Sequence, residues 1–218
     1  MEQCPWLGRY PRRTGRELAR YRRVKRAMDL ALVLSAMPLW LPLLLICWLL
    51  VKAQDPGTPA IFVQHRTGRG AARFVVHKLR TMVRDAEQLK ESLRHLNLRT
   101  WPDFKVENDP RVTRVGRVLR ATSLDELPQL IDVLRGGMSL VGPRPTSLPP
   151  HDYLSWQLER FRVPAGVTGP WQICGRGSPS FVERIRLDVT YADRSCLRLD
   201  LEILLRTVPA VLGRSGAW

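Results

Sequence analysis

One apolar run dominates the hydrophobic pattern: residues 27–51, AMDLALVLSAMPLWLPLLLICWLLV, whose only charge is Asp29. About 20 apolar residues suffice for a helix to cross the hydrocarbon core of a bilayer, so the run is long enough to insert. Burial in a soluble core is the other reading, but a stretch apolar on every face is unusual there. A cleaved signal peptide is disfavoured, because 26 residues precede the run and no small-residue cleavage site follows it. Pro38 and Pro42 fall inside it; each removes a backbone donor and favours a kink.

The remaining pattern predicts short elements. Residues 61–64 and 73–77 read as strands joined by the turn Thr67-Gly68-Arg69-Gly70, a β-hairpin. Residues 82–98 read as a charged helix, 101–110 as a loop and 112–119 as a short helix. Ser123-Leu124-Asp125-Glu126 matches the capping box S-x-x-E ahead of an apolar-periodic helix over 127–134, closed by Arg135-Gly136-Gly137. Proline and glycine make 141–145 a rigid loop. A helix over 153–161 and a Gly-rich loop over 166–177 precede helices at 181–192 and 199–212. The last carries an apolar stripe of Leu199, Ile203, Leu204, Val208, Val211 and Leu212, suited to a core or a bilayer interface. No internal repeat or low-complexity tract is present.

Charge narrows the partners. A net charge of +15 on 218 residues favours nucleic acid, anionic lipid or phosphorylated substrates. Nine cations lie between Arg9 and Arg26, and Lys52, Arg66, Arg69 and Arg73 follow the apolar run. The positive-inside rule then puts both flanks in the cytoplasm; a helix that enters, bends and returns satisfies this. A kinked spanning helix stays open at this point. Cys4, Cys47, Cys174 and Cys196 share no CxxC spacing and read as free thiols in a reducing compartment. The four histidines lack metal-ligand spacing, which leaves only oxygen ligands for a metal.

Three features carry candidate chemistry. The adjacent acids Asp125 and Glu126 begin a predicted helix, where acids commonly cap orphan N–H groups. The capping box accounts for Ser123 and Glu126 and leaves Asp125 less well explained; a carboxylate also serves as nucleophile or metal ligand in phosphoryl chemistry. Cations cluster near turns: Lys78 and Arg80, then Arg111, Arg114, Arg117 and Arg120, then Arg144 and Arg176. Arginine's fork matches two phosphate oxygens, although any one of these serves equally as a solvated or headgroup-facing charge. The loops VGPRP and GVTGPWQICGR let backbone N–H groups approach an anion, or act as plain turns.

In order, KRAMDLALV, HKLRTM, DPRVTRVGRVLRATSLDELPQL, MSLVGPRP, GVTGPWQICGR and LDVTYADRS with LDLEILLRTVPAVL resemble the bacterial sugar transferases, the monotopic polyprenyl-phosphate phosphoglycosyl transferases, from Lys25 to Trp218. The resemblance is to their minimal catalytic form. It implies a mostly helical α+β fold, anchored by a re-entrant helix broken at Pro38 and Pro42, with a small β-hairpin and interfacial amphipathic helices. The implied division is a basic tail (1–26), a membrane helix (27–51) and a catalytic part (52–218) at the cytoplasmic face of the bacterial inner membrane. The implied reaction moves a sugar-1-phosphate from a UDP-sugar to polyprenyl phosphate in surface-glycan assembly. Asp125 is then the nucleophile and a Mg²⁺ ligand, and Glu126 its partner. Lys78, Arg80, Arg111, Arg120, Arg144, Gln172 and Arg176 are the implied phosphate- and substrate-binding residues. Anionic lipid is an expected partner, nucleic acid is not, and a homodimer is left open. The competing class is a non-catalytic membrane scaffold or nucleic-acid-binding protein.

The chain departs from the family pattern twice. Leu41 stands where a serine often precedes the helix-breaking proline, with Ser35 the nearest upstream hydroxyl. Pro164-Ala165 replaces a usual Arg-Pro, leaving Arg162 as the nearest cation.

Overall fold

The computed structural model describes residues 4–12, 15–98, 101–174 and 180–213. The apolar run forms the end of α1 (Gly15–Ser35) and most of α2 (Met37–Gln54), which meet at Ala36. Pro38 lies in the first turn of α2, where its missing N–H is tolerated, and α2 continues past Pro42. At the break Val33 O finds a local donor in the Trp40 indole, at 2.9 Å. The Ser35 hydroxyl donates to Leu32 O at 3.1 Å, a carbonyl that keeps its helical donor, the Ala36 N–H. Along α2, Trp40, Leu44, Cys47 and Val51 recur every three or four residues and bury one stripe. Leu39, Leu43, Ile46, Leu49 and Leu50 are left exposed. Among the described residues α2 is the one helix long and apolar enough to cross a membrane.

The hairpin is present and longer than its apolar pattern: β1 (Ile61–Thr67) pairs antiparallel with β2 (Arg73–Leu79), Phe62 opposite Lys78. The charged segment after it is mostly irregular, with only α3 (Gln88–Ser92) and a 3₁₀ turn (Arg94–Leu96), a correction to the expected continuous helix. Next come α4 (Arg114–Ala121) and α5 (Gln129–Arg135), the latter closed by Gly136 at φ 87°.

A second sheet escaped the sequence pattern. β3 (Ser139–Val141) runs parallel to β4 (Gly166–Thr168), two three-residue strands where the pattern offered loops from 141 and from 166 and no strand. α6 (Pro170–Cys174), α7 (Phe181–Arg194) and α8 (Leu197–Leu212) complete the fold. The expected helix at 153–161 is instead a 3₁₀ helix, Ser155–Arg162. A capping box does form, but at α7: Ser180 accepts from the Glu183 N–H, and Glu183 accepts from Ser180.

α1 runs unbroken through residue 26 and is pinned to the rest by buried polar groups. Lys25 pairs with Asp200 of α8 at 2.9 Å. Asp200 also accepts from the Tyr21 and Tyr191 hydroxyls at 2.7 and 2.6 Å. Asp29 accepts from the Ser139 hydroxyl of β3 at 2.7 Å. The Arg26 guanidinium donates to Val133 O and Leu134 O, capping the end of α5. One reading of the cysteines is corrected: Cys4 and Cys174 form a disulfide, and only Cys47 and Cys196 are free thiols. Sequence separation had hidden the pairing, because the two cysteines lie 170 positions apart.

Candidate active site

Between α4 and α5 the chain turns sharply at Ser123, which takes the left-handed conformation at φ 58°. A short 3₁₀ turn, Leu124–Glu126, follows, and Ser123 makes no capping bond. The capping-box expectation at this position is therefore wrong. Released from capping, the two acids divide. Glu126 accepts Lys78 Nζ from β2 at 2.6 Å and a two-pronged grip from Arg144, at 2.5 and 3.1 Å. Asp125 makes no hydrogen bond or ion pair among the described residues and is half-buried.

The electrostatics follow. Burial pushes the Asp125 carboxyl above the usual range and Glu126 pushes it further, against Lys78, Arg144 and Arg120. Burial acts the same way on Glu126, but Arg144 and Lys78 outweigh it and hold this carboxyl well below its ordinary value. Burial lowers Lys78, with Glu126 resisting. Asp125 is thus the acid of the pair that titrates nearer neutrality. Any chemistry needing it ionised falls off as pH drops through a pKa above the usual ~3.9. Lys78→Met removes one stabilising cation and is expected to move this acid limb to still higher pH. A kcat/KM profile of both proteins between pH 4 and 8 checks it.

Arg144 follows the β3 end, and its position is fixed from behind. Arg160, fully buried, donates to Arg144 O at 2.7 Å and to Asp188 of α7 at 2.5 Å. Arg120 donates to the Thr81 hydroxyl at 2.9 Å and lies near enough to Asp125 to favour its ionised form. Lys78, Arg120 and Arg144 therefore surround the acid pair.

Other candidates stand apart. Arg80 donates to Pro59 O and stacks on Phe62. Arg111 is buried and committed to Asp109 and Ala86 O. Gln172 donates to Val167 O at 2.9 Å. Arg176 lies outside the described residues. Arg162, the cation nearest the altered Pro164-Ala165, turns to Asp193 and Glu159.

The sequence reading missed Arg66 of β1, whose pKa is lowered to about 10 by burial and by neighbouring Arg144. Nothing in the sequence marks it, since it falls between the predicted strand at 61–64 and the turn at 67–70. Arg66 and Arg144 line a cavity of about 380 Å³ that also borders Trp171, Phe181, Arg184 and Asp188.

Asp125 and Glu126 are the carboxylates available to a metal, and Glu126 is already spent on two cations. Among the described residues no cluster of three or more His, Cys, Asp or Glu forms a metal cage. One open carboxylate suits Mg²⁺, which commonly takes one or two protein carboxylates and completes its shell with water and substrate phosphates.

Residues 20–214 match the family described as bacterial sugar transferase. Among similar curated proteins, the galactosyl transferase CpsE of Streptococcus agalactiae serotype III (strain NEM316) is 43% identical over 181 residues, 80% of this chain and 40% of that protein. The UDP-glucose:undecaprenyl-phosphate glucose-1-phosphate transferase of Caulobacter vibrioides is 42% identical, covering 89% of this chain and 72% of that protein. The exopolysaccharide production protein ExoY of Rhizobium meliloti is 38% identical, covering 89% and 88%. The chain spans less than half the length of several relatives it matches, CpsE included. Matched over most of its length by the family model, with the DE pair and its cations assembled, this chain belongs to the bacterial sugar transferase family.

Proposed function

We propose that the chain transfers a sugar-1-phosphate from a UDP-sugar to polyprenyl phosphate, as a membrane step in surface-glycan assembly. The observation that carries the reading is the division of the acid pair: Glu126 is clamped by Lys78 and Arg144, and Asp125 beside it is unbonded. The activities for which similar proteins are named, such as glucose-1-phosphate transfer to undecaprenyl phosphate, agree with it.

In this reading an Asp125 carboxylate oxygen attacks the sugar-bearing phosphorus. The bond from that phosphorus to the bridging oxygen breaks, and UMP leaves with the electron pair. A phosphate oxygen of the polyprenyl acceptor then attacks the aspartyl phosphosugar, and the Asp125 carboxylate is released as the acyl-phosphate bond breaks. Arg144, Lys78 and Arg120 neutralise charge on the transferring group, which is most of what phosphoryl transfer asks of a protein. Asp125 is the carboxylate that would hold Mg²⁺, which would supply further charge neutralisation there.

The exposed apolar face of α2 supports membrane anchoring, with the catalytic part at the cytoplasmic face of the inner membrane. The break at Ala36 and the basic flanks support re-entry. Cysteine labelling in intact cells should then find positions near residue 12 and near residue 66 both protected. Labelling of only one of them from outside would favour a spanning helix.

The reaction is tested by nucleoside monophosphate release from detergent-solubilised protein with Mg²⁺, undecaprenyl phosphate and a panel of UDP-sugars. UMP release with one sugar supports the reading. Silence across the panel with folded protein counts against it.

A further inference from the structure

The cavity beside Arg144 is left unused by the transfer chemistry above. Its walls are aromatic and carry both charges: Trp101, Trp171 and Phe181, with Arg184 paired to Asp103, and Asp188 beneath. The guanidinium of Arg184 lies 5.3 Å from the Trp171 ring centre and 5.7 Å from that of Phe181. Arg144 faces Trp171 from 5.9 Å while gripping Glu126, so one side chain borders both the acid pair and the cavity. Trp101 is 72% exposed.

Asp188 is buried, with one oxygen held by Arg160 and the other, Oδ1, without a partner. Nε of Arg160 and Nε of Arg184 are likewise unpartnered. Buried polar groups left unsatisfied are rare and destabilising, and they point to a donor or acceptor that arrives with a ligand. Planar bases are held by stacking on aromatic rings and guanidinium planes, with polar groups reading their edges. The volume lies within the range of small-molecule sites, about 300–1,000 Å³.

We propose that this cavity is the seat of the leaving nucleoside, holding the uridine of the donor while Arg144 spans the phosphates between it and Asp125. The inference rests on the transferase reading and extends it, since that reading specifies no place for the base. Trp171 and Phe181 supply the stacking wall, Trp101 closes the open side, and Asp188 accepts an N–H or ribose hydroxyl. Burial raises the Asp188 carboxyl to about 6, so an arriving donor also favours its ionised form.

The test uses the full chain in detergent with UMP as probe and inorganic phosphate as control, alongside the KM for the active UDP-sugar. Trp101→Ala removes an exposed ring and leaves the fold alone; it is expected to weaken UMP about ten- to a hundred-fold, the scale of lost base stacking, with phosphate binding unchanged. Trp171→Ala should act likewise and Trp171→Phe should restore most of the affinity. Unchanged UMP affinity in both alanine variants overturns the proposal even if UMP release is intact. A raised UDP-sugar KM with UMP affinity unmoved assigns the cavity to the sugar and also overturns it. UMP binding that these variants weaken, in protein that releases no UMP from any UDP-sugar, supports the cavity and counts against the transferase reading alone.

Discussion

Asp125→Asn should abolish UMP release, by on the order of 10⁴-fold or more, the scale of losing a nucleophile or an essential triad member, while the protein melts no lower than wild type. Two independent arguments set the size and the sign. The amide is a far poorer nucleophile than the carboxylate, and neither Glu126, held by Lys78 and Arg144, nor any other described carboxylate stands unbonded among these cations to take its place. The folded state raises the Asp125 pKa. A group raised in this way favours folding below its unfolded pKa and loses that contribution as pH rises through the folded value. At neutral pH the ionised Asp125 therefore works against the fold, and a neutral isostere removes the strain of two adjacent carboxylates. Activity measured beside a thermal melt checks both halves. Full activity would sink the aspartyl intermediate; lost activity with a collapsed melt would make Asp125 structural instead.

Gly142→Ala is expected to be strongly destabilising for so small a change. A Cβ there would lie 2.3 Å from Pro164 O and 2.8 Å from Gly166 N, both backbone atoms that cannot rotate aside. The reciprocal position is as tight: a Cβ on Gly166 would meet Gly142 N at 2.1 Å. The strands approach this closely because Gly142 N donates to Thr168 O at 2.9 Å and Gly166 N to Pro143 O at 3.0 Å. Forcing them apart should cost about 3 kcal/mol, the upper end of ordinary overpacking, and lower Tm by roughly 6–12 °C in a chain of this size. Arg144 lies two residues on, so activity should fall further than stability explains. A melt within 2 °C of wild type would show that the strands separate without strain.

The long apolar run, the hairpin and the last two helices were legible because each carries its own period: an unbroken apolar stretch, alternation, or a stripe every three or four residues. The parallel β3–β4 pair was not, because three-residue strands are too short to show alternation and the glycines that permit their approach read as turns. Ser123 misled for a related reason. S-x-x-E describes a cap only if the serine is extended, and here tertiary packing puts it in the left-handed region, freeing the acids. The resemblance named Asp125, Glu126, Lys78, Arg120 and Arg144, and the fold brings those five together. Arg66, Arg160 and Asp188 carried no local signal, since their roles come from contacts across dozens of residues. The Cys4–Cys174 disulfide stayed hidden for the same reason.

The buried bonds from Lys25 and Arg26 have a consequence for how such an enzyme can be cut and moved. Lys25 neutralises Asp200 near the far end of the chain, and Arg26 caps the helix that follows the acid pair. A soluble fragment begun after the apolar run would leave Asp200 without its cation and the end of α5 without its donors; stranding one partner of a buried pair costs about 3–5 kcal/mol. The helix that bears both cations and the part around the acid pair are thus held as one piece. The family match takes in both, opening at residue 20, ahead of both cations.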